Sequence, residues 1–170
     1  AQRMFELAAK HKTPLYSSSA LRFAEEYASL EREGIDAIVS FGPGRYDNYS
    51  IHQIEPIVML MGSEAERVMF TGTDKSPSLL IGFSGGRQAS IHLFGGSPFA
   101  LTLNYASGKF ASVKAESDFF APFIRNMTRF FETGQATVDP AETIAIMTII
   151  EYGALAAKTP YRWIELPKGD

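Results

Sequence analysis

Leu79-Leu-Ile-Gly-Phe-Ser-Gly-Gly-Arg-Gln-Ala-Ser-Ile-His-Leu-Phe94 is two apolar runs, 79–83 and 88–94, flanking Ser84-Gly-Gly-Arg87. Paired glycines supply the positive φ angles of a tight turn between antiparallel strands, so the stretch reads as a hairpin. The pattern repeats at once. Phe99-Ala-Leu-Thr-Leu-Asn-Tyr105 and Phe110-Ala-Ser-Val-Lys-Ala115 flank Ala106-Ser-Gly-Lys109, a second hairpin. Strands linked in this way form an antiparallel meander, and alternation gives each strand one packed face and one other face. His92 lies opposite Ile91 and Leu93, which gives it an exposed or interface role.

Downstream, Ser117 or Asp118 caps a helix over 119–133, stopped by Gly134. Its stripe of Phe120, Phe123, Ile124, Met127, Phe130 and Phe131 is expected in the core. Asp139-Pro-Ala-Glu142 combines a cap, a first-turn proline and an acid, and opens a helix running to about residue 157. Residues 161–166 read as a closing strand.

Upstream, 67–71 and 35–41 read as strands, the latter ended by Gly42-Pro-Gly44. Ser50-x-x-Gln53 has the form of a capping box, so a helix is expected from Ser50 to Gly62. Ile51, Ile54, Val58 and Met61 are its buried face, and a kink or later start is expected at Pro56. On that reading His52 sits in the first turn, where the helix dipole disfavours imidazolium. Ser19 caps a helix over 20–33 with Gly34 as its stop. Arg22 falls in its first turn, with Glu25 or Glu26 as the expected ion-pair partner. Residues 13–17 read as a short strand restricted by Pro14 to an edge. Before it, Met4, Leu7 and Ala8 mark a helix ending at His11, a solvated terminal residue.

The expected fold is α+β: an open, mainly antiparallel sheet with helices packed on one face, preceded by a short helix–strand remnant. A chain of 170 residues suffices for one such domain, and 45% apolar with 21% charged residues is ordinary for a globular protein. The net charge of −3 with interspersed signs argues against nucleic acid and against a polybasic membrane surface. The absence of cysteine removes disulfides, thiolate metal sites and a cysteine nucleophile. It leaves the compartment open, with the cytoplasm marginally favoured. Three histidines at 11, 52 and 92 are too dispersed for a metal cluster, so no metal is expected. No Gly-x-Ser-x-Gly elbow anchors a serine hydrolase, and Gly42-Pro-Gly44 lacks both the phosphate-loop and the dinucleotide pattern.

Four segments together resemble the Gfo/Idh/MocA oxidoreductases, the glucose–fructose oxidoreductase and inositol dehydrogenase family. They are Leu-Ala-Ala-Lys-His-Lys-Thr-Pro-Leu-Tyr-Ser-Ser-Ser-Ala-Leu-Arg-Phe-Ala at 7–24, Ser-Ile-His-Gln-Ile-Glu-Pro-Ile-Val-Met-Leu-Met-Gly at 50–62, Phe-Phe-Glu-Thr-Gly-Gln-Ala-Thr-Val-Asp at 130–139, and the helix and strand that follow. The resemblance implies that residues 1–19 are the end of a Rossmann-type domain and residues 20–170 a substrate-binding and oligomerisation domain. It also implies an NAD(P) cofactor for the parent protein, held by that other domain, with none bound by this chain alone. The implied substrate is a sugar, polyol or related hydroxyl compound.

The family's Asp-x-Gly-x-His pattern places its histidine on His52, its glycine on Ser50 and its acid on Asn48, with Asp47 one residue away. The resemblance therefore implies His52 as the catalytic residue, with Arg22, Asn48, Asp47 and Tyr49 on the substrate. A neutral imidazole at His52 can accept or relay the proton of a substrate hydroxyl. Sheet-to-sheet packing of a second copy is expected on the free face, with Phe94 or Phe99 among its apolar positions. The other reading is a self-standing, non-catalytic ligand-binding or oligomerisation module.

Overall fold

The computed structural model describes residues 1–167. Seven strands form one open sheet: β1 (Ile35–Gly42), β2 (Ala65–Phe70), β3 (Ser78–Phe83), β4 (Gln88–Leu93), β5 (Ala100–Tyr105), β6 (Phe110–Lys114) and β7 (Ile164–Glu165), in the order β6-β5-β1-β4-β3-β2-β7. Both expected hairpins form: β3 pairs antiparallel with β4, and β5 with β6. Gly85 and Gly86 carry φ of 74° and 80° in the first turn. One pair, β1 with β4, is parallel, because the chain crosses over through a helix and the β2–β3 hairpin before returning beside β1.

The helices are α1 (Gln2–Lys10), α2 (Glu25–Ala28), α3 (Tyr46–Met61), α4 (Phe120–Thr133) and α5 (Pro140–Ala156). α3 and α5 pack together, α3 against β1 and β4 and α5 against β2. Beneath them Ile38, Leu79, Ile81, Ile91, Leu93, Leu101 and Leu103 are fully buried. Each such side chain contributes about 1.5–3 kcal/mol relative to exposure. α3 is the central helix: every residue from Gln53 to Met61 is buried, Glu55 included. The opposite face of the sheet is mixed. Cross-strand register aligns Ser112, Thr102, Val39, Ser90, Leu80 and Met69 in one row, and Lys114, Ala100, Phe41, His92 and Ser78 in the next. Val39 in its middle is 44% exposed.

Several sequence expectations are corrected. Residues 13–17 are not a strand; the segment has no regular secondary structure, with Tyr16 stacked on Phe130 and bonded to Asn126. The helix over 20–33 breaks into a 3-10 turn (Ala20–Phe23) and the single turn α2, since Ala24 is extended at φ −60°, ψ 128°. Ser19 does cap the 3-10 turn through the Leu21 amide. α3 starts at Tyr46, not Ser50. Gly44 turns the chain at φ 86°, and the amides of Asn48 and Tyr49 bond to the Arg45 carbonyl. Ser50 and Gln53 therefore lie inside the helix, and Gln53 donates to the His92 carbonyl instead of closing a capping box. The closing strand shrinks to β7.

The aromatic stripe of α4 is not core. No α4 residue is buried, and Phe120 and Phe131 are 61% and 77% exposed. α4 is held at the periphery by Phe23 on Phe123 and Tyr16 on Phe130. Its Gly134 stop and the Asp139 cap of α5 form as read. No helix is long and apolar enough to cross a membrane among the described residues.

Candidate functional site

The chemistry-bearing groups gather where the 17–22 segment crosses α3. His52 and Glu55 are three residues apart on α3 and so share a face. Ser19 Oγ lies 2.7 Å from His52 Nδ1. Glu55, 2% exposed, accepts from Ser18 Oγ at 2.9 Å and from the Ser19 amide at 2.5 Å. Arg22 lies behind: one guanidinium nitrogen is 2.6 Å from Glu142 in the first turn of α5, the other 3.6 Å from Glu55. Burial pushes the Glu55 carboxyl up from the ordinary range, and the bonds from Ser18 and Ser19 and the nearby charge of Arg22 pull it back. Arg22 thus does not pair with Glu25 or Glu26. It is claimed by two carboxylates from separate helices, because the 3-10 turn aims it inward.

His52 stands in the second turn of α3, so the dipole of the helix N-terminus does not govern it. Burial does: desolvation depresses its pKa below the ordinary 6.5. Its ring meets Tyr49 and Phe99 edge-on, at centroid distances of 5.6 and 5.7 Å, and those two rings stack at 6.4 Å. The Gly42-Pro-Gly44 run makes this arrangement fit. A Cβ on Gly42 would come within 2.6 Å of the Phe99 ring, and one on Gly44 within 2.3 Å of the Tyr49 ring. Phe99 is therefore on the helix side of the sheet, not on the free face where sequence alternation put it as an option. Pro56 has no amide hydrogen, so the His52 carbonyl is left without its helix donor.

Asp47 and Asn48 are exposed in the first turn of α3. Asp47 pairs with Arg45 at 3.0 Å, and the Asn48 amide is placed to donate to the Arg45 carbonyl. Tyr49 stands between them and His52. The structure thus brings His52, Tyr49 and, through Glu55, Arg22 together, with Asp47 and Asn48 at the outer end of the same helix. Sequence reading missed Glu55, Ser18, Ser19 and Glu142. A carboxylate one turn after His52 on an otherwise apolar helix was the available signal for Glu55. Nothing local marks Glu142.

His92 projects from the free face, held by Ser78 at Nδ1 (3.0 Å) and Ser90 at Nε2 (3.1 Å), with Phe94 stacked at 5.5 Å. His11 is an exposed cap of α1. No group of three His, Cys, Asp or Glu could hold a metal among the described residues.

The turn from β1 into α3 is a strand–glycine–helix connection, the type that can cradle a dinucleotide. Here it does not fit one: the Tyr49 ring fills the space beside Gly44, and the Asp47 carboxylate occupies the first turn.

No family model matches the sequence, and no curated protein matches it. Solved structures do match. Scyllo-inositol dehydrogenase from Lactobacillus casei, with bound NAD(H) and scyllo-inositol, is 11% identical at a TM-score of 0.77, covering 96% of this chain and 68% of that one. Myo-inositol 2-dehydrogenase from Lactobacillus plantarum is 10% identical at 0.75, covering 98% and 69%. GenD2 from gentamicin A biosynthesis, in complex with NAD, is 11% identical at 0.81, covering 98% and 68%. At such identity the likeness is one of fold: this chain has the fold of about two thirds of each of these proteins.

Proposed function

We propose that the chain is the substrate-side domain of an NAD(P)-dependent oxidoreductase of the Gfo/Idh/MocA type, acting on a sugar, polyol or related hydroxyl compound. The observation that carries this reading is His52, half-buried and held by Ser19 on one nitrogen, with its Nε2 making no hydrogen bond among the described residues. In this reading Nε2 meets the reacting oxygen of the substrate. Tyr49 forms the wall, Asp47 and Asn48 reach outer hydroxyls, and Arg22 holds the Ser18–Ser19 segment in place through Glu55.

The similar structures are longer than this chain, and two of them carry NAD, which supports a cofactor held by residues outside the fold described here. Residues 1–19 then belong to the nucleotide-binding side and residues 20–170 to the substrate side. The exposed apolar faces of α1 (Met4, Leu7) and α4 (Phe120, Ile124, Phe131) support a neighbouring domain. The cofactor supplies hydride transfer, and this chain by itself binds no NAD(P). Isothermal titration with NAD(P) checks that part; micromolar binding overturns it.

The free sheet face, with Val39 and Phe94 exposed, is proposed to pack against a second copy. A Val39→Lys variant is then expected to sediment as a smaller species than wild type. A wild-type monomer at micromolar concentration counts against the proposal.

Substrate binding is tested by titrating scyllo-inositol to about 10 mM, tenfold above the usual upper range of Michaelis constants, with and without NAD. The His52 ring resonances are expected to move while those of His92 stay. No movement in either case overturns the polyol reading.

A further inference from the structure

Ser19 is buried, and its hydroxyl has two neighbours able to bond it among the described residues: the Leu21 amide at 3.4 Å and His52 Nδ1 at 2.7 Å. The first can only donate. A serine hydroxyl has one proton to give and lone pairs to receive. If His52 Nδ1 also donated, the Ser19 oxygen would accept twice and its own proton would be buried without an acceptor. That costs about 1–3 kcal/mol. The nearby Glu55 carboxylate is bonded by the Ser19 backbone amide and the Ser18 hydroxyl, and makes no hydrogen bond with the Ser19 hydroxyl among the described residues. If Ser19 donates to Nδ1, both ends of the hydroxyl are satisfied.

We infer that the Ser19 hydroxyl donates to His52 Nδ1 and holds the neutral ring in the Nε2–H form, so that His52 offers a ligand oxygen a hydrogen-bond donor rather than a base. This rests on the function proposed above only for what meets Nε2; the assignment itself belongs to the free chain. It revises the expectation that His52 accepts a substrate proton. The donor polarises or anchors an oxygen carrying a lone pair, such as a carbonyl or hydroxyl oxygen. Ser19 is therefore a positioning residue. The titratable groups around it are Tyr49 at the ring edge, Glu55 one turn on and Arg22 behind Glu55.

The test needs neither cofactor nor substrate. Long-range proton–nitrogen correlation spectra of the 15N-labelled chain above pH 7.5 report which ring nitrogen of His52 is protonated. Protonated Nε2 with bare Nδ1 is expected; the reverse overturns the inference. The Ser19→Ala variant adds a sign. A donor to Nδ1 favours the neutral ring, so its removal raises the pKa of His52, by about half a pH unit. Were Ser19 an acceptor from Nδ1–H, removal would lower it, which also overturns the inference. Ser19→Thr keeps the hydroxyl and is expected to restore the wild-type value. If Ser19→Ala does not fold, the wild-type spectrum decides alone. A correct tautomer with no polyol binding would sink the proposed function and leave this inference standing.

Discussion

His52 and His92 lie on opposite sides of one sheet and share most of their local physics. Both are half-buried, both have pKa values depressed by desolvation, and both are bonded by serine hydroxyls. They differ in which nitrogens are taken. His92 spends both on Ser78 and Ser90, while His52 spends one on Ser19. The surroundings differ as well. Behind His52 stand Glu55, Arg22 and Glu142, an ion network joining three segments; around His92 there are hydroxyls, the stacked Phe94 and, next in the row, Phe41. Perturbation by burial is common to both histidines, so it does not identify a site. What supports the proposed site at His52 is a free nitrogen on a multiply bonded support, which a ligand could use without dismantling what holds the ring.

The largest difference between the two histidine surroundings is expected from Glu55→Ala. It strands Arg22 beside a single carboxylate and frees the Ser18–Ser19 segment, at an expected cost of about 3–5 kcal/mol in urea unfolding. The counterpart on the free face, Ser78→Ala, is expected to cost about 1 kcal/mol and to leave the titration of His52 unchanged. Equal losses from the two would erase the distinction between support and surface.

Next comes Gly44→Ala. A side chain at φ 86° is strained, and its Cβ would strike the Tyr49 ring. The expected loss is about 1–3 kcal/mol, with a changed chemical shift for His52 and not for His92.

The depressed pKa values of both histidines set a pH dependence. The unfolded chain takes up protons near 6.5, the folded chain only at lower pH. Between those points the unfolded state holds more protons, so stability rises with pH there. The contribution is complete above about 6.5 and is lost as pH falls through the folded values. Thermal melting between pH 5 and 8 is expected to show this drop, and a His52→Gln, His92→Gln double variant to flatten it.

The smallest effect is expected from Asp47→Asn. Its exposed bond to Arg45 and its place at the helix start are together worth less than about 1 kcal/mol. If polyol binding weakens while stability stays, Asp47 is a substrate contact; if both stay, its role is confined to the helix end.

The sheet was readable because glycine-paired turns and strict alternation are local signals. The same holds for the starts at Asp139 and Ser19 and the stop at Gly134, where the side chain or the absent Cβ acts on its own backbone. The misread elements fail where local preference was overridden. Ser50 and Gln53 look like a capping box, but the chain had already turned at Gly44. Residues 20–33 have helical periodicity, yet Ala24 is extended and Tyr27 is buried as an anchor. The α4 stripe has the spacing of a core helix and little to pack on among the described residues.

Local sequence was enough for the hairpins, the helix starts at Ser19 and Asp139, the stop at Gly134 and the position of a histidine beside a glycine-rich turn. Each depends on neighbours within a few residues. Only the tertiary structure decided that Ser19 meets His52, that Glu55 is buried under Ser18 and Ser19, and that Arg22 reaches Glu142. Those partners are 33, 36 and 120 residues apart in the chain. No local pattern encodes such pairings; they arise when α3, α5 and the 17–22 segment are pressed together by the burial of their apolar neighbours.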